Sequence, residues 1–417
     1  MRSDLPTDAD VVVVGTGAFG LAVAVHLARF GAGRVLALDR FDVGSQTSPR
    51  AAGLFKSVQA DYLRTRLAAL AIEIVRGFEK DMGVPVPYVQ SGSLMIARTE
   101  RHARVIETEI AAARRWGVTC DSITTAELVR LAPYVEPSTV QYAAYVPEDI
   151  YIEEPSALLE AYRLAAERLG ARVLGHVPAT NIVLGDGGVE AVETPYGRVR
   201  TETVIDAAGA WVRAVGRMAG IDLAVMPMRH QLAITEALPG TAATHPITRI
   251  VDAAVYVRPC RGGLMWGGFE SNPLALEPTN HGEQFRIDNL PLDFSVLEGF
   301  AQAVRDVVPA LADAPIQEHR GGLFTMTPDG RFVAGPVPNV RGLWVLSGCN
   351  GSGFSFSPAL GRLVAEWIVT GEPSYDLTPF APSRWPTVWD EATLVQAAIY
   401  QYTHYYEPLE AVDGEQS

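Results

Sequence analysis

The sequence predicts an α/β fold in two parts: a Rossmann-like dinucleotide-binding domain built from discontinuous segments, and an α+β domain with an antiparallel sheet. Three observations carry this. "VVVVGTGAFG", Val11 to Gly20, is a β-branched run that enters a G-x-G-x-x-G pattern and then an apolar helical pattern. A second glycine cluster, "SGCNGSGFSFSPALG", follows another strand-like run near the far end of the chain. Between them "QLAITEA", "AVYVRP" and "GLMWGGFE" read as the short strands of an antiparallel sheet.

Taken in order, Val11 to Val14 reads as a buried parallel-type strand, Ala18 to Phe30 as a helix ending at Gly31 or Gly33, and "RVLALDR" as a second buried strand. In such a β-α-β unit Gly15 serves the tight turn, Gly17 lets a pyrophosphate approach the backbone, and Gly20 lets helix and strand pack. Helix N-terminal N–H groups then hold the phosphates. Asp39 closes the second strand about twenty residues after the last glycine, where a carboxylate accepts both ribose hydroxyls of an adenosine. "EPSALLEAYRLAAERLGARV" reads as a helix opened by Pro155 and closed by Gly170, followed by short alternating strands. "RGLWVLSG" reads as a strand and "FSPALGRLVAEWIVTG" as a helix ending at Gly371. The expected division is 1–85, 150–222 and 325–385 for the dinucleotide domain, 86–149 and 223–324 for the second domain, and 386–417 for a tail. That tail, with tyrosines at 400, 402, 405 and 406, reads as a helix packed on its own chain or on the partner of a homo-oligomer; a role in the substrate site is the other reading.

Composition removes several function classes. With 34 Lys+Arg against 48 Asp+Glu the net charge of the 417 residues is -14, which repels nucleic acid and anionic membrane. Cys120, Cys260 and Cys349 have neither zinc-site nor disulfide-framework spacing, so no metal is expected and a reducing, cytoplasmic setting fits. Val11 to Ala28 lacks charged residues, but its three glycines argue against a membrane span, and the acid-rich residues before it lack a secretory n-region.

The second glycine cluster bears on the dinucleotide. A nicotinamide site is normally completed within one continuous domain, whereas here pieces from both ends of the chain must meet. A flavin accounts for this, since its reduction places negative charge where a helix N-terminus can stabilise it. Along nearly the whole chain, "GTGAFG", "SPRAAGL", "SGSLMIA", "VIDAAGAWVRAVGRMAG", "RHQLAITE", "RGGLMWGGFESNP", "TPDGRFVAG" and "GLWVLSGCNGSGF" resemble the D-amino-acid oxidase superfamily, and within it the dimethylglycine and sarcosine dehydrogenase-like branch.

The resemblance implies FAD and the oxidation of an amine C–H next to nitrogen by hydride transfer to the flavin, giving an imine that water hydrolyses. Gly15, Gly17, Ala18, Phe19 and Gly20 match the pyrophosphate turn, with Asp39 and Arg40 at the ribose end. Ser48, Arg50, Ala51 and Ala52 match the loop along the flavin edge, Val177 the adenine-side strand, and Gly209 and Trp211 the "AAG-x-W" element, where core packing is the other reading of Trp211. Asn350, Gly351, Ser352, Gly353 and Phe354 match the flavin-side loop, and Ser352 and Ser355 could also serve only to solvate a turn. His230 and Tyr256 match pocket positions able to bind or deprotonate an amine; the other reading is a hydrogen-bonded strand histidine and a core tyrosine. His319 beside Arg320 reads as structural.

Departures from the family refine these expectations. Relatives with covalent flavin carry a histidine where this chain has Arg50, or a cysteine where it has Gly322, so FAD is expected to be noncovalent. The long folate-binding region of the branch is not expected after the flavin domain. The charges that hold a substrate carboxylate and assist oxygen in monomeric sarcosine oxidases fall on Gly53, Ser355 and Met265. Unless Arg50, Arg258 or Arg261 replaces them, sarcosine and glycine are expected to be poor substrates, and oxygen a slow acceptor. Two other functions stay open: oxidative deamination of a primary amino acid, and a flavin-binding subunit whose partner completes the site.

Overall fold

In the structure, a computed structural model describing residues 4–385 and 389–407, the four valines of Val11–Val14 are buried because both faces of their sheet are covered. Val11 and Val13 join one apolar core with Val35, Ala37 and Ile205, while Val12 and Val14 join another with Leu36, Leu38 and Val204. The alternation is that of a strand whose side chains point to opposite faces. The sheet has six strands, in the order Val333–Pro336, Leu343–Ser347, Val204–Asp206, Val11–Val14, Val35–Leu38 and Arg172–Leu174. All pair in parallel except Val333–Pro336, which runs antiparallel along its edge.

Helices Ala18–Arg29, Tyr62–Met82, Ser156–Arg168 and Gly353–Thr370 supply the core on one face. A three-stranded antiparallel sheet, Asn181–Gly185, Gly188–Thr194 and Gly197–Arg200, covers the other with helix Val212–Met218. The helices after the two glycine clusters press together. A Cβ on Gly361 would stand 2.5 Å from Ala22 Cβ and 2.7 Å from the Ala22 carbonyl carbon, so only glycine allows this approach.

The second sheet has eight strands, drawn from Ser93–Ala97 through Tyr142–Val146 and from Met226–Thr235 through Ile316–Met326. It differs from the antiparallel expectation at one junction, where Ile247–Ile250 lies parallel to Ser93–Ala97. Periodicity marks strands but does not name their partners. One face packs on helices Thr125–Leu131 and Phe294–Ala303 through Leu128, Leu297, Trp266 and Val257. The other carries His230, Leu232 and Tyr256 over a cavity.

The expected tail helix is Glu391–Thr403, capped by Asp390, whose carboxylate accepts from the Thr393 N–H. It packs on its own chain, burying Leu394, Ala398 and Tyr402 against Met226, Met228 and Phe269. Residues 386–388 and 408–417 of the expected tail lie outside the described residues. Among the described residues no helix is long and apolar enough to cross a membrane.

Gly361→Val should overpack the helix crossing, at a cost of about 1–3 kcal/mol. A denaturant melt of the variant is expected to show a lower midpoint with an unchanged slope, and an unaltered midpoint would contradict the account of this contact.

Candidate active site

A cavity of about 650 Å³ lies between the two sheets. Gly15, Gly17, Ala18 and Phe19 line it from the N-terminal segment, Ser48, Arg50, Ala51 and Ala52 from the next loop, and Gly209 and Trp211 from mid-chain. Gly351, Ser352, Gly353 and Phe354 reach it from the C-terminal segment, and His230 and Tyr256 from the eight-stranded sheet. Pieces far apart in sequence therefore share one space.

At one end the chain is shaped for an anion. Gly15 adopts φ +105°, and a Cβ there would stand 2.5 Å from the Ala207 carbonyl oxygen. Neither Ala18–Arg29 nor Gly353–Thr370 has an acid in its first turn, so both present an uncompensated positive dipole end to the cavity. The Ser48 hydroxyl accepts the Ala18 N–H at 3.0 Å and ties its loop to helix Ala18–Arg29. Asp39 first holds the turn: Oδ2 accepts from the Thr16 N–H at 2.8 Å and the Thr16 hydroxyl at 2.6 Å, and Oδ1 from the Phe41 N–H at 2.9 Å. Burial pushes its pKa up, and those donors oppose the shift. With about four lone-pair sites on a carboxylate, Oδ1 retains the more capacity for a ribose hydroxyl. Arg40 lines the same end, stacks 5.3 Å over Phe41 and donates to the Glu283 carbonyl. Trp211 is buried against Phe41 and also lines the cavity.

Three of the residues expected at the cofactor do not line this cavity. Gly20 packs its helix onto the turn, where a Cβ would stand 1.9 Å from the Gly15 carbonyl oxygen. Val177 follows strand Arg172–Leu174 and points into the core, its N–H donating to the Asp39 carbonyl; Pro178, Ala179 and Thr180 line the cavity in its place. Asn350, at φ +42°, pins the second glycine loop: Oδ1 accepts the Thr327 N–H, and Nδ2 donates to the Arg331 and Gly348 carbonyls.

At the other end polar groups form a chain across the sheet. His230 Nε2 lies 3.0 Å from the Tyr256 hydroxyl, and Nδ1 lies 2.8 Å from the Tyr402 hydroxyl. Burial lowers the His230 pKa to about 3 and raises those of both tyrosines, so the three are uncharged at neutral pH. Tyr256 reaches His230 by lying across Gly267, where a Cβ would fall 2.3 Å from the tyrosine oxygen. The tail completes the wall: Tyr405 stacks on Phe269 at 4.0 Å and meets the Ser352 hydroxyl at 2.9 Å. Tyr405 and Tyr406 of the tail both line the cavity. His319 contacts Gln231 and stands outside it.

The cations offered as replacements are committed elsewhere. Arg50 donates to the Ser45 and Gln46 carbonyls and to Asp288. Arg258 is fully buried, donates to the Ala52, Glu153 and Pro259 carbonyls and stacks on Tyr151; Arg261 pairs with Glu154 and Glu318. Met265 is buried and does not line the cavity. Instead Lys56, which sequence reasoning missed, lines the cavity with its Nζ 5.7 Å from the rings of Tyr405 and Tyr406. Burial and nearby Arg249 push its pKa down to about 7. A lone lysine within the apolar run "AAGLFKS" was the available signal.

Residues 10–367 match the family described as FAD dependent oxidoreductase. The chain belongs to that family. Its cofactor is FAD, and the cavity fits it, with two helix N-termini free of acids, open backbone at Gly209 and the Asp39 carboxylate in its lining. Sarcosine dehydrogenase of Mus musculus is 30% identical over 379 residues, which are 89% of this chain and 41% of that protein. The chain thus spans about two-fifths of the length of that relative. L-proline dehydrogenase from P. horikoshii superimposes with a TM-score of 0.82 at 23% identity, over 91% of this chain and 98% of that one. Glycine oxidase from Geobacillus kaustophilus gives 0.79 at 24%, over 92% and 100%. The solved structures share the two-domain fold of this oxidoreductase.

Gly267→Ala should displace the Tyr256 hydroxyl from His230 while FAD stays bound. Stopped-flow flavin reduction is expected to slow by about ten-fold or more, and an unaltered rate would show that the hydrogen bond contributes nothing.

Lys56 gives a pH signature in stability. Its folded pKa near 7 lies below the ordinary 10.5, so between these values the unfolded chain binds the extra proton and stability rises with pH. Lys56→Met is expected to melt above the parent at pH 6, with the gap closing as pH rises from 7 toward 10. A gap independent of pH would place the lysine in water.

Proposed function

We propose that this oxidoreductase acts on a secondary or N-methylated amine, holding its FAD noncovalently. The carrying observation is the uncharged His230–Tyr256 pair in the cavity that two helix N-termini also face. When bound, FAD supplies the acceptor for a hydride from the carbon next to nitrogen. A neutral amine is what loses such a hydride, and its lone pair or N–H needs partners. Tyr256 and His230 offer a hydroxyl and a ring nitrogen that orient the nitrogen without adding charge. At a pKa near 3 His230 is too weak a base to take a proton from an alkylammonium, so its part is orientation. Lys56, partly neutral at pH 7, lines the same cavity and is able to take that proton. Phe324, stacked 4.2 Å from His230, and Phe269 shield this end from water.

The names of the relatives support the substrate class, since sarcosine and L-proline are both secondary amines. Glycine is a primary one, which keeps deamination as the second reading. Noncovalency is supported by Gly322 and the fully engaged Arg50 at the two tether positions. The free thiols Cys120, Cys260 and Cys349 support a cytoplasmic location.

Anaerobic titration of the purified holoprotein with an amine panel tests the reading. Secondary and N-methylated amines are expected to bleach the flavin faster than primary analogues of the same skeleton. Bleaching by primary amino acids alone would favour deamination, and no bleaching by any amine would overturn the proposal. After acid precipitation the yellow colour should leave with the supernatant; a yellow pellet would show a covalent link.

A further inference from the structure

Beside the main cavity lies a second, of about 470 Å³, and Lys56, Cys349, Ser352, Tyr405 and Tyr406 line both. These side chains form the wall that the two spaces share. The walls of the second carry Arg64, Arg104 and Arg249 as well as Lys56, against Glu109 and Glu407. Arg249 is 5% exposed, and its Nε and Nη2 have no hydrogen-bond partner among the described residues; Arg64 Nη2 shares that condition. Buried donors without acceptors are rare, and a guanidinium offers a fork that matches a carboxylate. The nearby acids do not fill the fork. Asp149 spends Oδ1 on the Ser57 N–H and hydroxyl and Oδ2 on the Ser93 hydroxyl, and Glu109, whose charged form Arg249 and Lys56 favour against burial, makes no hydrogen bond to Arg249 Nε or Nη2.

Strand register fixes where Arg249 stands. It is the direct partner of Tyr256 across Ile247–Ile250 and Val255–Cys260, so both side chains leave the same face of the sheet, about 5 Å apart at their Cβ atoms. Tyr256 in turn bonds His230. Amine partners and an unfilled cationic fork thus lie in a row, a strand spacing between them.

We propose that Arg249, with Lys56 at the junction of the two cavities, binds a carboxylate at the far end of the amine substrate. This rests on the reading of His230 and Tyr256 as amine partners. An α-amino acid, whose nitrogen and carboxylate share one carbon, is too compact to span the row. A chain with the carboxylate several bonds from nitrogen reaches both.

The experiment uses the holoprotein with N-methylglycine, N-methyl-β-alanine, 4-methylaminobutanoate and N-methylbutylamine, read by flavin reduction. Pentanoate binding is read separately by perturbation of the oxidised flavin spectrum. The expected result is a KM for 4-methylaminobutanoate about ten-fold or more below that of N-methylbutylamine and of N-methylglycine. Arg249→Gln should collapse the first ratio toward one and weaken pentanoate binding by a similar factor, with Arg249→Lys intermediate. Retention of FAD by both variants establishes folding. Equal KM values in the parent, or a ratio and pentanoate affinity indifferent to Arg249→Gln, would overturn this proposal while leaving amine oxidation standing. If no amine bleaches the flavin, amine oxidation fails, and the effect of Arg249→Gln on pentanoate binding still decides whether the fork holds a carboxylate.

Discussion

The contact of Gly361 with Ala22 is the constraint on which the site depends. It sets the closest approach between two helices that begin more than three hundred residues apart, and so brings their N-termini to one cavity. Each terminus leaves unsatisfied N–H groups, and neither carries an acid to quench them. A larger residue at the crossing would push the second glycine loop outward, and Asn350, which ties that loop to Thr327 and Arg331, would resist. The site is thus held from both sides, by a steric minimum in the core and a hydrogen-bonded pin at the rim.

The roof depends on a second missing side chain. Gly267 leaves room for Tyr256 to cross its strand and meet His230, which the tail holds through Tyr402. Buried polar chains of this kind are costly unless every member is paired, and here both histidine nitrogens are. Order in the tail helix is consequently coupled to the tautomer and orientation of His230. Tyr405 adds a second link by joining Phe269 of the roof to Ser352 of the C-terminal loop.

Much of this was legible locally. The strand, turn and helix of Val11 to Arg29 follow from residue type and period, and Asp39 from its distance along the chain. Gly20, Val177 and Asn350, expected at the cofactor, lie outside the lining of the main cavity, because a motif identifies a loop and not which of its atoms faces inward. What escaped was non-local. Lys56 and Arg249 are nearly two hundred residues apart, and their proximity follows from strand register and from Asp149 anchoring the Ser57 segment. Gly53, Ser355 and Met265 carry no charge, whereas the fold brings cations from a different strand and loop.

That relocation bears on how an anion reaches the interior of an acidic protein. The net charge of -14 opposes a carboxylate at long range, but such fields fade beyond about 8 Å at physiological ionic strength. Inside, Arg249 is buried and Lys56 half-buried, and the attraction of either for a carboxylate is screened far less. Lys56, with a pKa near 7, adjusts its charge to what lies beside it: an arriving carboxylate favours its protonated form, and a proton released by an alkylammonium has a nearby acceptor. Binding of the anionic end and deprotonation of the amine would then draw on one side chain at the junction of the two cavities.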